Sequence, residues 1–249
     1  LMEPVIRPLY EAYAVLSEAR EKRGTLDLDL PERQIIIGEN GHVDDVKKRQ
    51  RLDAHKLIEE FMILANVAAA RALEDRKAPC TYRVHEKPDG EKLAKAREFI
   101  RAFGISMPKG QVMKPGDING ILKQADDMPF SHLIHETILR TQSQARYDTE
   151  NCGHFGLALQ KYAHFTSPIR RYADLLVHRS LVRAYGLGPG GLSDEEATRL
   201  EEMCEHISQT ERLSMEAERS ATDRFIAMYL SEQSSIEFEG QISGVTKFG

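Results

Sequence analysis

The sequence predicts an α+β fold in which helix predominates. Apolar residues recur every three to four positions over most of the 249 residues, period-two alternation is confined to short stretches, and Gly or Pro marks most of the changes between them. Residues 5–23 read as a first helix, with Leu9, Tyr13, Leu16 and Ala19 at helical spacing and Gly24 as its stop. Thr25–Pro31 sets Leu26, Leu28 and Leu30 against Asp27 and Asp29, a strand pattern. Ile35–Ile37, the turn Gly38-Glu39-Asn40-Gly41 and Val43–Val46 make a small antiparallel element.

Asp53–Glu74 carries a broad apolar face (Leu57, Ile58, Phe61, Met62, Ala65, Ala68, Ala69, Ala72, Leu73) and alanines that favour helix. Thr81–His85 is a short strand. Glu91–Phe103 is an amphipathic helix ended by Gly104, Ser106–Gly116 a loop, and Ile118–Asp126 and Ser131–Arg146 are helices. After loop or strand at Asn151–Gly156, a helix is expected to open at Pro168 and run to Tyr185, with Ser167 as its N-cap. Gly186–Gly191 interrupts the chain. Ser193, with Glu196 completing a capping box, begins a helix expected to run unbroken to about Leu230. The alternation from Ile236 onward reads as a single strand, which is no domain by itself.

A hydrophobic share of 41% and a charged share of 29% fit an ordinary soluble protein, and no apolar run approaches the roughly 20 residues of a membrane span. Leu1-Met2-Glu3-Pro4 has neither the basic nor the apolar region of a secretory signal and reads as helix interior rather than a natural start. Cys80, Cys152 and Cys204 are scattered and odd in number, which suggests no disulfide framework and fits a reducing cytoplasm. Net charge −5 argues against a nucleic-acid partner until its distribution is examined. Between His154 and Gly186, Lys161, Arg170, Arg171, Arg179 and Arg183 face only Asp174, whereas Ser193–Arg219 is strongly acidic. A basic island in an acidic chain is a candidate anion site.

That island contains His154–Leu181, HFGLALQKYAHFTSPIRRYADLLVHRSL. Arg170 and Arg171 fall in the expected first turn, with the Thr166 and Ser167 hydroxyls at its entrance and Tyr162, His164 and Phe165 just before it. Helix amides and arginine forks suit phosphate oxygens, and aromatic faces suit bases. Equally open on the residues alone is an ordinary capped helix whose arginines make surface ion pairs. His132 and His135 lack the further ligands a zinc site needs. Asp174 and His178, four residues apart, read as a structural helix contact rather than a catalytic couple.

The run HFGLAL-x-x-Y-x-H-F-T-S-P-I-R-R-Y-x-D-L resembles the signature of the ribonuclease II/ribonuclease R (RNB) family of exoribonucleases. Three more stretches are similar in the same order: the segment from Asp53 to Asn66, Tyr82-Arg83-Val84-His85, and Glu216-Ala217-Glu218-Arg219. The end, from Glu239 to Gly249, is similar to the opening of an OB-fold RNA-binding domain. The resemblance implies that residues 1–234 are the later part of an RNB-type catalytic domain and 235–249 a truncated OB-fold start. It implies a parent enzyme that takes the 3′ end of single-stranded RNA and releases nucleoside 5′-monophosphates processively, using a pair of Mg²⁺ ions. A cytoplasmic monomer is expected.

By the same resemblance Arg170 is the phosphate-contacting catalytic arginine and Glu59 a catalytic glutamate near the terminal nucleotides. Glu218 is a second glutamate on the RNA path, and Arg171, Tyr162, His154, Thr166 and Ser167 are further RNA-path residues. The family's aspartate cluster is not found: the surroundings of Asp27 and Asp29 do not match it, so no metal ligand is assigned and the chain alone is expected to be inactive. Where many relatives carry a base-stacking aromatic, this chain has Leu26, Leu28 and Leu30. A non-enzymatic RNA-binding relative and a helical protein–protein module are the alternatives.

Overall fold

The computed structural model describes residues 3–28, 33–108, 113–233 and 237. Among these are α1 Glu3–Arg23, β1 Arg33–Ile37, β2 Val43–Lys48, α2 Asp53–Asp75, β3 Tyr82–Val84 and α3 Gly90–Arg101. They continue with α4 Pro115–Ala125, α5 Ser131–Thr141, β4 Arg146–Asp148, α6 Tyr172–Tyr185, α7 Asp194–Thr198 and α8 Leu200–Glu232. The mainly helical reading holds. The OB-fold start lies outside the described residues, apart from Glu237. No helix among the described residues is long and apolar enough to cross a membrane.

The chain divides into two units, residues 1–28 with 51–211 and residues 29–50 with 212–249. In the first, α3, α4 and α5 close on a core of Ile100, Ile118, Ile134 and Ile138, each fully buried. Removing such a side chain from water stabilises the fold by about 1.5–3 kcal/mol. A second core joins α2 (Ala70, Leu73) to Val84 of β3 and Val177 of α6. A third joins Tyr147 of β4 and Leu176 of α6 to Leu200 and Cys204 of α8. These last two cores fix α2 and the approach to α6 about one another, which is what positions the site. The second unit contains the β1–β2 hairpin, antiparallel with a bulge at Ile36/Ile37, and the distal part of α8. Its turn closes where Gly38 and Gly41 were expected to form it, the Gly38 amide donating to His42 O at 2.9 Å.

Four local expectations are corrected. Leu26 and Leu28 do pack inward and Asp27 faces out, as alternation requires. Their backbone, however, joins no ladder: Leu26 N donates to Gly156 O (2.8 Å) and Asp27 N to the Asn119 side chain (2.9 Å). Residues 29–31 lie outside the described residues. Helix α5 ends at Thr141 rather than Arg146, because Arg146–Asp148 is taken up by pairing with β3. The helix expected from Ser193 is capped as foreseen, the Ser193 hydroxyl accepting from Glu196 N, but it breaks at Arg199. The break separates α7 from α8, whose Leu200 and Cys204 turn into the third core.

The fourth correction concerns the arginine segment. Helix α6 starts at Tyr172, not Pro168, and its N-cap is Arg171, not Ser167. Residues 168–170 form a turn in which the Arg170 and Arg171 amides donate to Ser167 O at 3.3 and 3.1 Å. Asp174 explains the change. Fully buried, it accepts from Ser167 N at 2.7 Å and from the Arg171 guanidinium, so the segment folds back on the helix instead of joining it.

Candidate functional site

A cavity of about 300 Å³ lies between α2 and the chain leading into α6. One face of α2 supplies His55, Ile58, Glu59, Met62, Ile63 and Asn66, and the other wall is Tyr162, His164 and Arg171. The α2 residues follow helical spacing, so a single stripe presents apolar side chains with a carboxylate near one end and an amide at the other. Glu59 is held by Arg51 and, at 3.4 Å, by Arg20. Lys56, three residues before Glu59, reaches Asp53 at 3.4 Å. Arg20 also bonds the buried Glu60 at 2.7 Å, tying α1 to α2 beneath the cavity wall.

Asn66, 2% exposed, joins the two walls. Its Nδ2 donates to the Tyr162 hydroxyl at 3.0 Å and its Oδ1 accepts from Phe165 N at 2.9 Å. Burial raises the Tyr162 phenol above its ordinary pKa, so it keeps its proton. Asn66→Ala is expected to remove about 2 kcal/mol of stability by leaving these two groups without partners. Urea unfolding measures it, and a loss below about 0.5 kcal/mol would show that water or rearrangement replaces the amide.

His164 sits in the wall with its Nδ1 2.8 Å from the Tyr147 hydroxyl. Burial, then the nearby Arg171 and Arg83, pushes its pKa down to about 2. It is therefore neutral at pH 7. Burial likewise raises Tyr147 to about 12, so the phenol keeps its proton and donates to Nδ1, leaving Nε2–H as the donor end of the ring. His154, expected on an RNA path, packs edge-on against Tyr162 and with its ring tilted by 55° to that of His85, its Nδ1 accepting from Leu157 N at 3.2 Å.

The basic island resolves residue by residue. Lys161 pairs with Glu74, Arg179 with Glu196, Arg183 with Asp194 and Arg171 with Asp174. Arg170 is exposed, stands outside the cavity lining, and has no acidic partner among the described residues. Beside it Ile169 is fully exposed. The Thr166 hydroxyl is buried without a hydrogen-bond partner, while Ser167 contributes its backbone amide rather than a capping hydroxyl. Glu218 is exposed on α8 in the second unit, and so are Ser214 and Ala221 one turn away on either side. Asp174 and His178 do not couple: His178 Nε2 meets Phe165 O at 2.8 Å, and the two rings stack at 4.2 Å.

Thus the structure brings together Glu59, Tyr162 and Arg171 from distant stretches and places Arg170 next in the chain. Sequence reasoning overlooked Asn66 as a cavity residue and Asp174 as the organiser of the turn, and named His164 only as an aromatic beside the arginines. Asn66 was within reach, lying seven residues after Glu59 on the same helical face.

Comparison with known proteins gives a consistent answer. The RNB domain matches residues 2–186. Ribonuclease R of Escherichia coli (strain K12) is 39% identical over 252 aligned residues, which cover 98% of this chain and 31% of that protein. Ribonuclease R of Aquifex aeolicus is 41% identical, covering 100% of this chain and 35% of the relative. The chain spans about a third of the length of the curated relatives it matches. The structure of Mycoplasma genitalium RNase R in complex with ribose methylated single-stranded RNA is similar with a TM-score of 0.90 and 30% identity, over 98% of this chain and 39% of that one. Yeast Ssd1, described as a pseudonuclease, is similar with a TM-score of 0.53 and 26% identity, over 64% of this chain and 20% of its own. On a match spanning most of its length, with ribonuclease R relatives aligned nearly end to end, this chain belongs to the RNB-domain family.

Proposed function

We propose that this chain is the RNA-gripping part of a 3′→5′ exoribonuclease that degrades single-stranded RNA to nucleoside 5′-monophosphates. The observation that carries the reading is the state of the basic island: its other four cations are neutralised by carboxylates, and Arg170 has no acidic partner among the described residues, which leaves it to an anion from outside. A phosphodiester suits it, because the guanidinium fork matches two phosphate oxygens. The neighbouring cavity suits a terminal ribonucleotide. Ile58, Met62 and Ile63 offer apolar surface, Tyr162 and His164 offer neutral donors, and Glu59 offers an acceptor for ribose hydroxyls.

As the 3′-terminal nucleotide settles against α2, Arg170 takes the adjoining phosphate and stabilises the negative charge that grows as the P–O bond breaks. The Asn66–Tyr162 hydrogen bond holds the wall in place. Magnesium belongs to this reading as the source of an activated water. Among the described residues no group of three or more His, Cys, Asp or Glu side chains could hold a metal ion. This reading assigns the metal ligands to the family's aspartate cluster, elsewhere in the full-length protein.

The test has two arms. The 249-residue chain should bind a single-stranded oligoribonucleotide with an affinity that falls as salt rises, yet release no mononucleotide with Mg²⁺. The full-length protein should shorten the same RNA from its 3′ end. Mg²⁺-dependent mononucleotide release by the chain alone would overturn the placement of the metal ligands. A full-length protein that binds RNA without shortening it would favour a non-catalytic RNA-binding role, the reading to which the likeness to the pseudonuclease Ssd1 lends weight.

A further inference from the structure

We infer that the two adjacent arginines divide the work: Arg170 meets the phosphate, while Asp174 uses Arg171 and the Ser167 amide to fix the turn that presents it, making Asp174 a positioning residue. The inference rests on the reading of Arg170 as the phosphate ligand.

The geometry supports this division. Asp174 is fully buried and bonded at both oxygens. Oδ1 accepts from Ser167 N at 2.7 Å and from Arg171 Nη2 at 2.9 Å, and Oδ2 accepts from Arg171 Nε at 2.8 Å. The carboxylate thus grips both ends of the segment between Ser167 and Arg171, and Arg170 is carried between them. A planar fork clamped side-on by a carboxylate has little rotational freedom, so the backbone on either side of Arg170 is set before substrate arrives. Arg171 lines the cavity, yet two of its donor nitrogens are committed to Asp174. Its role is therefore to hold rather than to bind. Arg170 has no such tie among the described residues. Helix capping does not explain the arrangement, since Arg171 at the N-cap makes no side-chain cap hydrogen bond.

A double-substitution cycle in the full-length protein separates positioning from mere folding. Arg170→Ala is expected to lower kcat about 100-fold on a short oligoribonucleotide. Asp174→Asn keeps the shape but replaces one acceptor with a donor facing the guanidinium, and should lower kcat about 10-fold with KM little changed. If Asp174 acts through Arg170, the double variant is no slower than Arg170→Ala alone. An additive loss of about 1000-fold would show that Asp174 acts elsewhere and would overturn the inference while leaving the Arg170 reading intact. An Arg170→Ala protein with undiminished kcat would remove the phosphate reading and this inference with it. Should Asp174→Asn fail to fold, as judged by its melting midpoint, Arg171→Lys takes its place. It keeps a cation beside Asp174 but not the fork, and the same non-additivity with Arg170→Ala is required.

Discussion

Arg170→Ala in the full-length protein is expected to slow hydrolysis about 100-fold, a barrier increase of about 2.7 kcal/mol, while RNA binding weakens far less. The asymmetry follows from where charge develops. In the bound state the phosphodiester carries one negative charge that water and counterions already stabilise. As bond breaking proceeds, charge accumulates on the oxygens that the guanidinium fork faces, so its attraction grows most at the transition state. Side-chain stability should hardly change, because Arg170 is exposed and makes no side-chain contact with an acid among the described residues. Single-turnover kinetics with excess enzyme isolate the chemical step. A raised Kd with unchanged single-turnover rate would make Arg170 a binding residue only. Arg170→Lys should restore charge but not the two-point geometry, and so recover only part of the rate.

The sequence made parts of this arrangement legible because their signals are local. The Asp53–Glu74 helix, the Ser193–Glu196 capping box and the Gly38–Gly41 turn each need only a few neighbouring residues, and all three are present, although the buried side of the helix runs through Leu57, Ile63, Val67, Ala70 and Leu73 and leaves Ile58 and Ala68 of the expected apolar face exposed. Expectations failed where a distant partner outweighed local preference. Ser167-Pro168 has the form of a helix start, but a buried carboxylate six residues after Pro168 draws the Ser167 amide and Arg171 into a turn. Arg146 fits the end of a helix until β3 offers it a strand partner. The candidate site mixes both kinds. Glu59, Tyr162, Arg170 and Arg171 were nameable because a long colinear resemblance singled them out. Composition alone could not tell which cation of the island would remain free, since Glu74, Glu196 and Asp194 reach it only through the fold.

Acidification should destabilise this chain well before its carboxylates protonate. His154 and His164 are held neutral, with pKa values near 3 and near 2, by burial first. For His154 the next causes are His85 and Arg83, and for His164 they are Arg171 and Arg83. In the unfolded chain both titrate near 6.5, so below that pH the unfolded state binds protons that the folded state refuses. Stability therefore rises with pH up to about 7, and falls as pH drops through 6.5 and on toward the folded-state values. Between pH 7 and pH 5 each histidine contributes a loss of about 2 kcal/mol, about 4 together, a large part of the 5–15 kcal/mol typical of a domain. His85, lowered chiefly by its own burial, adds in the same direction. Urea midpoints measured across this range should fall steeply. His164→Asn, which removes one titrating ring from beside Arg171, should flatten the dependence by about half even though it lowers stability at pH 7. A midpoint that stays level from pH 7 to pH 5 would mean that the rings accept protons in the folded protein. The neutral His164 donor, and the cavity wall built on it, would then have to be abandoned.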